Sequence, residues 1–493
     1  MIKGEIQSSI LNIAHSWWRD IRLVYLPTNT TSLIDNVSSG LLAKFKQYGH
    51  HVQSIPDNKT DVIITTAPFG KPLGWREALL FNARRRYRLE HLPTIFTLVH
   101  AARDEFHRLL EHFRSALEKL PPNPSDFEFP GLTPRAFHTL YEQGQRGGPI
   151  LSLVRLVQSQ SLSIRVILIV GEENHPLEAY TFDLVGAHPR TDASDLDIFY
   201  LDLMNRIVTA VCTHEITDHY TLTPPISLDV WNSLETPNHM REAGKQIGKR
   251  GFFTEMVLIS NLVNVPAISE AVASQYSEGC FATWDVDLGA LITTITGSAR
   301  PVEKHNLSDD ELAVIVGVRE DGKGALVRHV DGKRNDPPSS EAVELIAMDN
   351  ALPKQKLGEE WGKMVEVPVV RSKLHGHRGV KAYDTRWVEH VYLDLPYYHY
   401  PVSCSTRAQA EAIVRAFSRS EALNNPSDPR QVVFTVLPGH GVVIVEKWVR
   451  GKVPFQVIWE YMDAGILQIE NQIPQGPLTF VPGEKGFMVL RKE

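Results

Sequence analysis

The side chains best suited to chemistry cluster in the second half of the chain. The stretch 276–290, YSEGCFATWDVDLGA, sets Asp285 and Asp287 two residues apart behind an apolar run. At a strand end such a pair shares one face and can hold a divalent cation, or one carboxylate can act as a base; as an alternative, Asp287 caps a helix expected over Leu288 to Thr296. In LHGHRG, His375 and His377 fall on one face of an extended segment with Arg378 adjacent. Two imidazoles at that spacing suit a metal or a proton shuttle, the guanidinium suits a carboxylate or phosphate, and the glycines let backbone approach a ligand. His440 stands at an expected hairpin tip in LPGHGVVIVEKW, and His399 lies among tyrosines in DLPYYHYPVSC. The polar loop GKRNDPPSSE offers Lys333, Arg334 and Asn335 as substrate contacts, or is simply an exposed turn.

Other suggestive segments carry less. The arginines 84, 85, 86 and 88 of FNARRRYRLE are spread around an expected helix, which suits a solvated or subunit-facing surface. His214 and His219 in THEITDH are five apart, off one helical face, so the zinc-protease pattern fails. No histidine is obviously paired to Cys280. There is no G-x-G-x-x-G after the first strand and no Walker loop, so a dinucleotide or triphosphate is not indicated.

These residues need a scaffold. Strand signals at Ile21 to Leu26, Asp61 to Thr66 and Thr94 to His100 alternate with helical spacing at Leu33 to Tyr48 and Trp75 to Arg88. That alternation predicts a Rossmann-like α/β unit over 1–145. A proline-rich connection at Leu120 to Pro134 leads to a second such unit over 146–298, with strands at Ser163 to Val170 and Phe182 to Gly186 and a helix at Asp197 to Val211. From 299 to 493 the texture is β-rich, with strands expected at Leu312 to Val318, Gly324 to Val330, Val367 to Arg371, Val388 to Leu393, Val432 to Leu437 and Val442 to Val449. The fold class expected is α/β: two Rossmann-like domains followed by a β-rich third.

Bulk properties narrow the partners. A chain of 493 residues exceeds one ordinary core, and 43% hydrophobic with 22% charged residues is globular composition. A formal charge of −7 gives no basic field for nucleic acid. The N-terminus lacks the layout of a signal peptide, no apolar run approaches the ~20 residues of a membrane span, and three scattered cysteines suit a reducing compartment. The expectation is a cytoplasmic protein with a small-molecule partner and neither nucleic acid nor membrane.

Two Rossmann-like units followed by a β-rich one, with FATWDVDLGALITTITGSARPVEKH and YYHYPVSCSTRAQAEAIVRAF, resemble the L-fucose and L-arabinose isomerase family over about the last half of the chain. The resemblance implies aldose–ketose isomerisation through an ene-diol on a divalent metal, Mn2+ in the first instance. The first acid of the family's site corresponds to Trp284, or to Asp285 with the loop shifted by one; the second falls near Glu303 to His305; the metal-binding histidine matches His399. It thereby points to Asp285 and Glu303 as catalytic acids, to Asp285, Asp287 and His399 as metal ligands, and to a homo-oligomer, a trimer or hexamer. His375, His377, Arg378 and His440, with Lys333, Arg334 and Asn335, are then expected to line the sugar cleft. The alternatives are a divergent, metal-independent carbohydrate-binding or carbohydrate-processing protein on the same scaffold, or a non-catalytic assembly protein.

Overall fold

The computed structural model describes residues 20–28, 30–70, 93–119, 164–172, 176–182, 191–192, 195–212, 216–252, 279–295, 306–358, 364–376, 379–393, 405, 407–437, 441–470, 479–482 and 488–491. They form a mixed α/β protein with two large sheets and a β-rich C-terminal region.

In the first sheet, β1 (Arg22–Leu26), β2 (His51–Gln53), β3 (Val62–Pro68), β4 (Thr94–Ala101) and β5 (Ile164–Val170) run parallel in the order β2-β1-β3-β4-β5. β6 (Glu178–Phe182) and β7 (Thr191–Asp192) then add antiparallel. The central strands are apolar on both sides because helices cover both faces. On one face α1 (Ser32–Gln47) sends Leu33, Ile34, Val37, Leu41 and Phe45 into a core with Leu23, Val62, Phe96 and Ile167. A later helix, α3 (Leu196–Cys212), adds Phe199, Leu203 and Ile207 to the same core. Gly40 lets these two helices meet, since a Cβ there would lie 2.3 Å from the Tyr200 ring. On the other face lies α2 (Arg103–Lys119), whose Phe106 stacks on Tyr180 at 4.8 Å. Thr31 opens α1 by accepting the Ile34 amide, and Gly49, at φ 85°, follows its last turn.

The second sheet has nine strands in the order β17-β18-β19-β15-β9-β10-β11-β12-β8. Its strands are β8 (Tyr220–Ile226), β9 (Cys280–Asp285), β10 (Ala290–Thr294), β11 (Leu312–Val318), β12 (Ala325–Val330), β15 (Val370–Gly376), β17 (Val388–His390), β18 (Val432–Leu437) and β19 (Gly441–Lys447). Two separate antiparallel strand pairs accompany it, β13 (Lys354–Leu357) with β14 (Val365–Pro368) and β16 (Gly379–Ala382) with β20 (Leu467–Glu470). One face is covered by α4 (Leu228–Ser233) and α5 (Thr236–Lys249), through Trp231, Met240 and Ile247. The other is covered by α6 (Ala342–Ala351), α7 (Arg407–Ser418) and α8 (Glu421–Asn424). The helix that joins the first face, α9 (Gln456–Asp463), packs Ile458 beside Phe455.

Several expected elements stand where the sequence puts them, among them β1, α1, β4, β5, α3, β11 and β18. Three differ. The stretch expected as a helix over Leu288 to Thr296 is strand β10, because Leu291 and Ile292 are buried on opposite faces of the sheet, a period of two. Of the strand expected over Phe182 to Gly186, only Phe182 is described, and it is the last residue of β6. The run Val367 to Arg371 is divided between β14, which ends at Pro368, and β15, which begins at Val370. The sheets also do not follow the expected boundaries at 145 and 298: β5, β6 and β7 continue the first sheet, whereas β8, β9 and β10 belong to the second. The expected helix at Trp75 to Arg88 and the connection at Leu120 to Pro134 lie outside the described residues.

Candidate functional site

Asp285 ends β9 and is 2% exposed; its Oδ1 accepts the Leu288 amide at 2.7 Å, closing the four-residue turn that joins β9 to β10. The capping chemistry expected of Asp287 thus belongs to Asp285, and it stabilises a hairpin rather than a helix. Asp287 is exposed in that turn. One carboxylate is buried and spent on its own turn while the other faces outward, so this pair does not fit a shared ion. Among the described residues, no group of three or more His, Cys, Asp or Glu side chains is arranged to hold a metal.

His375 is built into the sheet. It is 1% exposed on β15, its Nδ1 lies 3.1 Å from the Val442 carbonyl oxygen, and it sits across from Cys280 and Val443. Gly376 beside it makes room for a neighbouring ring, since a Cβ there would lie 2.4 Å from Phe252. Two residues back, Lys373 and Asp349 form an enclosed ion pair at 2.5 Å. Burial pushes the Asp349 carboxyl up to about 6 and the Lys373 ammonium down, against their mutual attraction.

The polar loop after β12 holds itself. Asn335, at φ 55°, accepts the Val330 amide at 2.8 Å and donates to the Val330 and Lys333 carbonyls. Lys333 pairs with Asp309 at 3.4 Å and Arg334 with Asp336 at 2.7 Å. Glu303, His377, Arg378, His399 and His440 lie outside the described residues.

A different group of residues lines a cleft of about 350 Å³ at the β17 edge of the nine-stranded sheet. Its walls are the run from Glu389 to Leu393 on one side and Ala416, Arg419 and Glu421 on the other. His390 is among the residues that line it. Its imidazole lies between Phe434, stacked at 4.3 Å, and Tyr392, at 4.2 Å. Burial drives its pKa down to about 4, so the ring is neutral at physiological pH. Its Nε2 is shielded from solvent and makes no hydrogen bond within the protein, an omission that costs about 1–3 kcal/mol. Tyr392, by contrast, is 53% exposed.

The charged groups around the cleft have hydrogen-bond partners within the protein. Glu389 accepts three hydrogen bonds from the start of α8, and Glu421 pairs with Arg430 at 3.0 Å. The Arg419 Nη2 donates to the Tyr392 carbonyl at 3.2 Å. The arrangement presents the exposed Tyr392 ring to a ligand, with the neutral His390 imidazole enclosed behind it. Sequence reasoning passed over all five polar and aromatic lining residues. A signal existed: in the expected strand Val388 to Leu393, His390 and Tyr392 are two apart and so share a face.

Comparison of the chain with protein-family models, with curated proteins and with solved structures finds no match.

Proposed function

We propose that this protein binds and processes a small uncharged carbohydrate in the cleft between β17 and the α7–α8 corner, with His390 as the group that meets the ligand. The observation that carries the reading is the neutral, ring-sandwiched imidazole whose shielded Nε2 has no protein partner. A sugar hydroxyl or carbonyl that reached it once the side chains enclosing it moved aside would relieve that cost, and the exposed Tyr392 ring suits the apolar face of a pyranose. A neutral imidazole can also polarise a carbonyl by donating its N–H, or take up a proton, which are the two tasks of ene-diol chemistry. The resemblance to sugar isomerases gives the ligand class. The fold supports a doubly wound, Rossmann-like character for the first sheet, whose parallel order is 2-1-3-4-5.

Isothermal titration of the full chain with neutral aldoses and ketoses tests the reading. Saturable binding that is lost in His390→Phe and weakened in Tyr392→Ala is the expected result. No binding to any sugar, or binding unchanged in both variants, removes it. Aldose–ketose turnover is followed alongside. Conversion that requires Mn2+ and survives His390→Phe would instead favour a metal-dependent isomerase whose site lies elsewhere in the chain.

A further inference from the structure

β17 ends the nine-stranded sheet and, among the described residues, pairs with β18 alone. In such an edge strand the main-chain groups of successive residues point alternately towards the neighbour and away from it. The Val391 amide donates to the Phe434 carbonyl at 2.9 Å, and the Trp387 carbonyl accepts the Gln431 amide at 3.2 Å, so the odd-numbered residues face β18. The N–H and C=O groups of His390 and Tyr392 therefore face the other way. The Tyr392 carbonyl bears this out, since it accepts a hydrogen bond from the Arg419 Nη2, on the far wall of the cleft, at 3.2 Å. The lining gives the same direction independently. Five consecutive residues, Glu389 to Leu393, border the cleft. A cavity over one face of a strand meets alternate residues, whereas one that runs along the edge meets them all.

The two edges of this sheet are built differently. β8, at the opposite end, carries Pro224 and Pro225, which offer no N–H to an incoming strand. The run 388–393, VEHVYL, has neither proline nor lysine. Its one carboxylate, Glu389, is turned to α8, where it accepts the Ser420 hydroxyl and the Glu421 and Ala422 amides. The β17 edge is thus left open, but not to a whole second sheet. Ala416, Arg419 and Glu421 stand across it, and the space between, about 350 Å³, admits a single extended segment. Alternating N–H and C=O groups are what the main chain of such a segment presents. Val391, Leu393 and Ala416 give the cleft an apolar side against which one of its side chains can rest. We propose that the β17 edge docks an extended peptide, which adds as a further strand through the His390 and Tyr392 main-chain groups and sets an apolar side chain against Val391, Leu393 and Ala416. This goes beyond the carbohydrate reading and does not rest on it, since it uses the main chain and not the imidazole.

The experiment selects short random peptides displayed on phage against the full chain and remakes the best binder as a synthetic peptide with capped ends. Its titration into the wild-type chain is expected to shift the backbone amide resonances of His390 and Tyr392 most. Methylating the amide nitrogens of the peptide one at a time should cost about tenfold in affinity at alternate positions and under about threefold at those between, because only alternate residues of an added strand bond to its neighbour. On the protein side, Tyr392→Pro should bind the peptide about tenfold more weakly than Tyr392→Ala, since both lose the ring and only proline loses the N–H that faces the cleft. The methylation series is read on the wild-type chain, so its result holds even if the proline variant does not fold. Failure to select any peptide, a selected peptide whose shifts centre elsewhere, or an affinity indifferent to methylation at every position overturns the proposal. Neutral sugars are titrated separately. Sugar binding without peptide binding ends this proposal and leaves the carbohydrate reading, and peptide binding without sugar binding does the reverse.

Discussion

His390 is held neutral between two rings, and that has a consequence for stability as well as for binding. Its folded-state pKa is about 4, below the 6.5 of an unfolded histidine. Above about pH 6.5 neither state carries the proton. As pH falls from about 6.5 to 4 the unfolded chain takes up a proton that the native ring refuses, so stability drops through that window by about 2 kcal/mol, allowing for the exposed part of the ring. His390→Phe keeps the stack, removes the unpaired Nε2 and abolishes this slope. Urea unfolding at pH 7 should show it equal to or about 1 kcal/mol more stable than wild type, with sugar binding gone. Loss of stability at pH 7 would mean that the imidazole has a protein partner after all. The Lys373–Asp349 pair behaves in the opposite way. Both members are enclosed, so Lys373→Met alone strands a carboxylate and should cost about 3–5 kcal/mol, whereas Lys373→Met with Asp349→Leu should recover most of it. A double variant no more stable than the single one would show that the pair is needed for packing rather than for charge balance. Neither site stood out in the sequence. A histidine in a strand reads the same whether rings enclose it or water does, and the partners of Lys373 and His390, Asp349 and Phe434, are 24 and 44 residues away.

At the scale of elements, local pattern fixed what local chemistry controls. Thr31 with a period near 3.6 makes α1, and the β-branched run of β5 makes a buried strand. The pattern misled where two structures share one signature. ALITT between two turns suits a short helix or a central strand equally, and the choice was made by β9 and β11 pairing on either side. Long-range polar contacts were equally hidden. Glu446 on β19 reaches α9 from below, accepting the Phe455, Val457 and Ile458 amides at 2.8, 2.9 and 3.2 Å and the Ser372 hydroxyl at 3.1 Å. Burial pushes this carboxyl up to about 7 even against those donors. Glu446→Ala leaves the first amides of α9 unpaired in the interior. About 2–4 kcal/mol of stability should be lost, and hydrogen exchange should quicken over 455–463 before it quickens in β9 or β15. Uniform acceleration across the sheet would show that α9 is not a separate unit of opening.

For the whole molecule, the decisive feature is where the cores lie. Among the described residues, the core under α1 and α3 draws on residues 21–211, and the two cores flanking the nine-stranded sheet draw on residues 216–469. The expected three-unit division came from reading βα alternation along the chain. That alternation cannot reveal that a strand near residue 166 closes the earlier sheet, or that strands near 222 and 283 flank a later one. An element joins whichever sheet buries its faces, and that is decided in space. Each sheet therefore has the ingredients of an independent folding unit: helices on both sides, strands paired within its own stretch of chain, and apolar residues fully removed from water. Calorimetry of the full chain should then resolve two transitions, and a fragment beginning at residue 213 should keep the second. All lining residues of the cleft lie after 388, so the fragment should also keep the wild-type His390 titration and whatever carbohydrate affinity the full chain has. A single transition with calorimetric and van't Hoff enthalpies in agreement, or a fragment that does not fold, would mean that the two cores are stable only together.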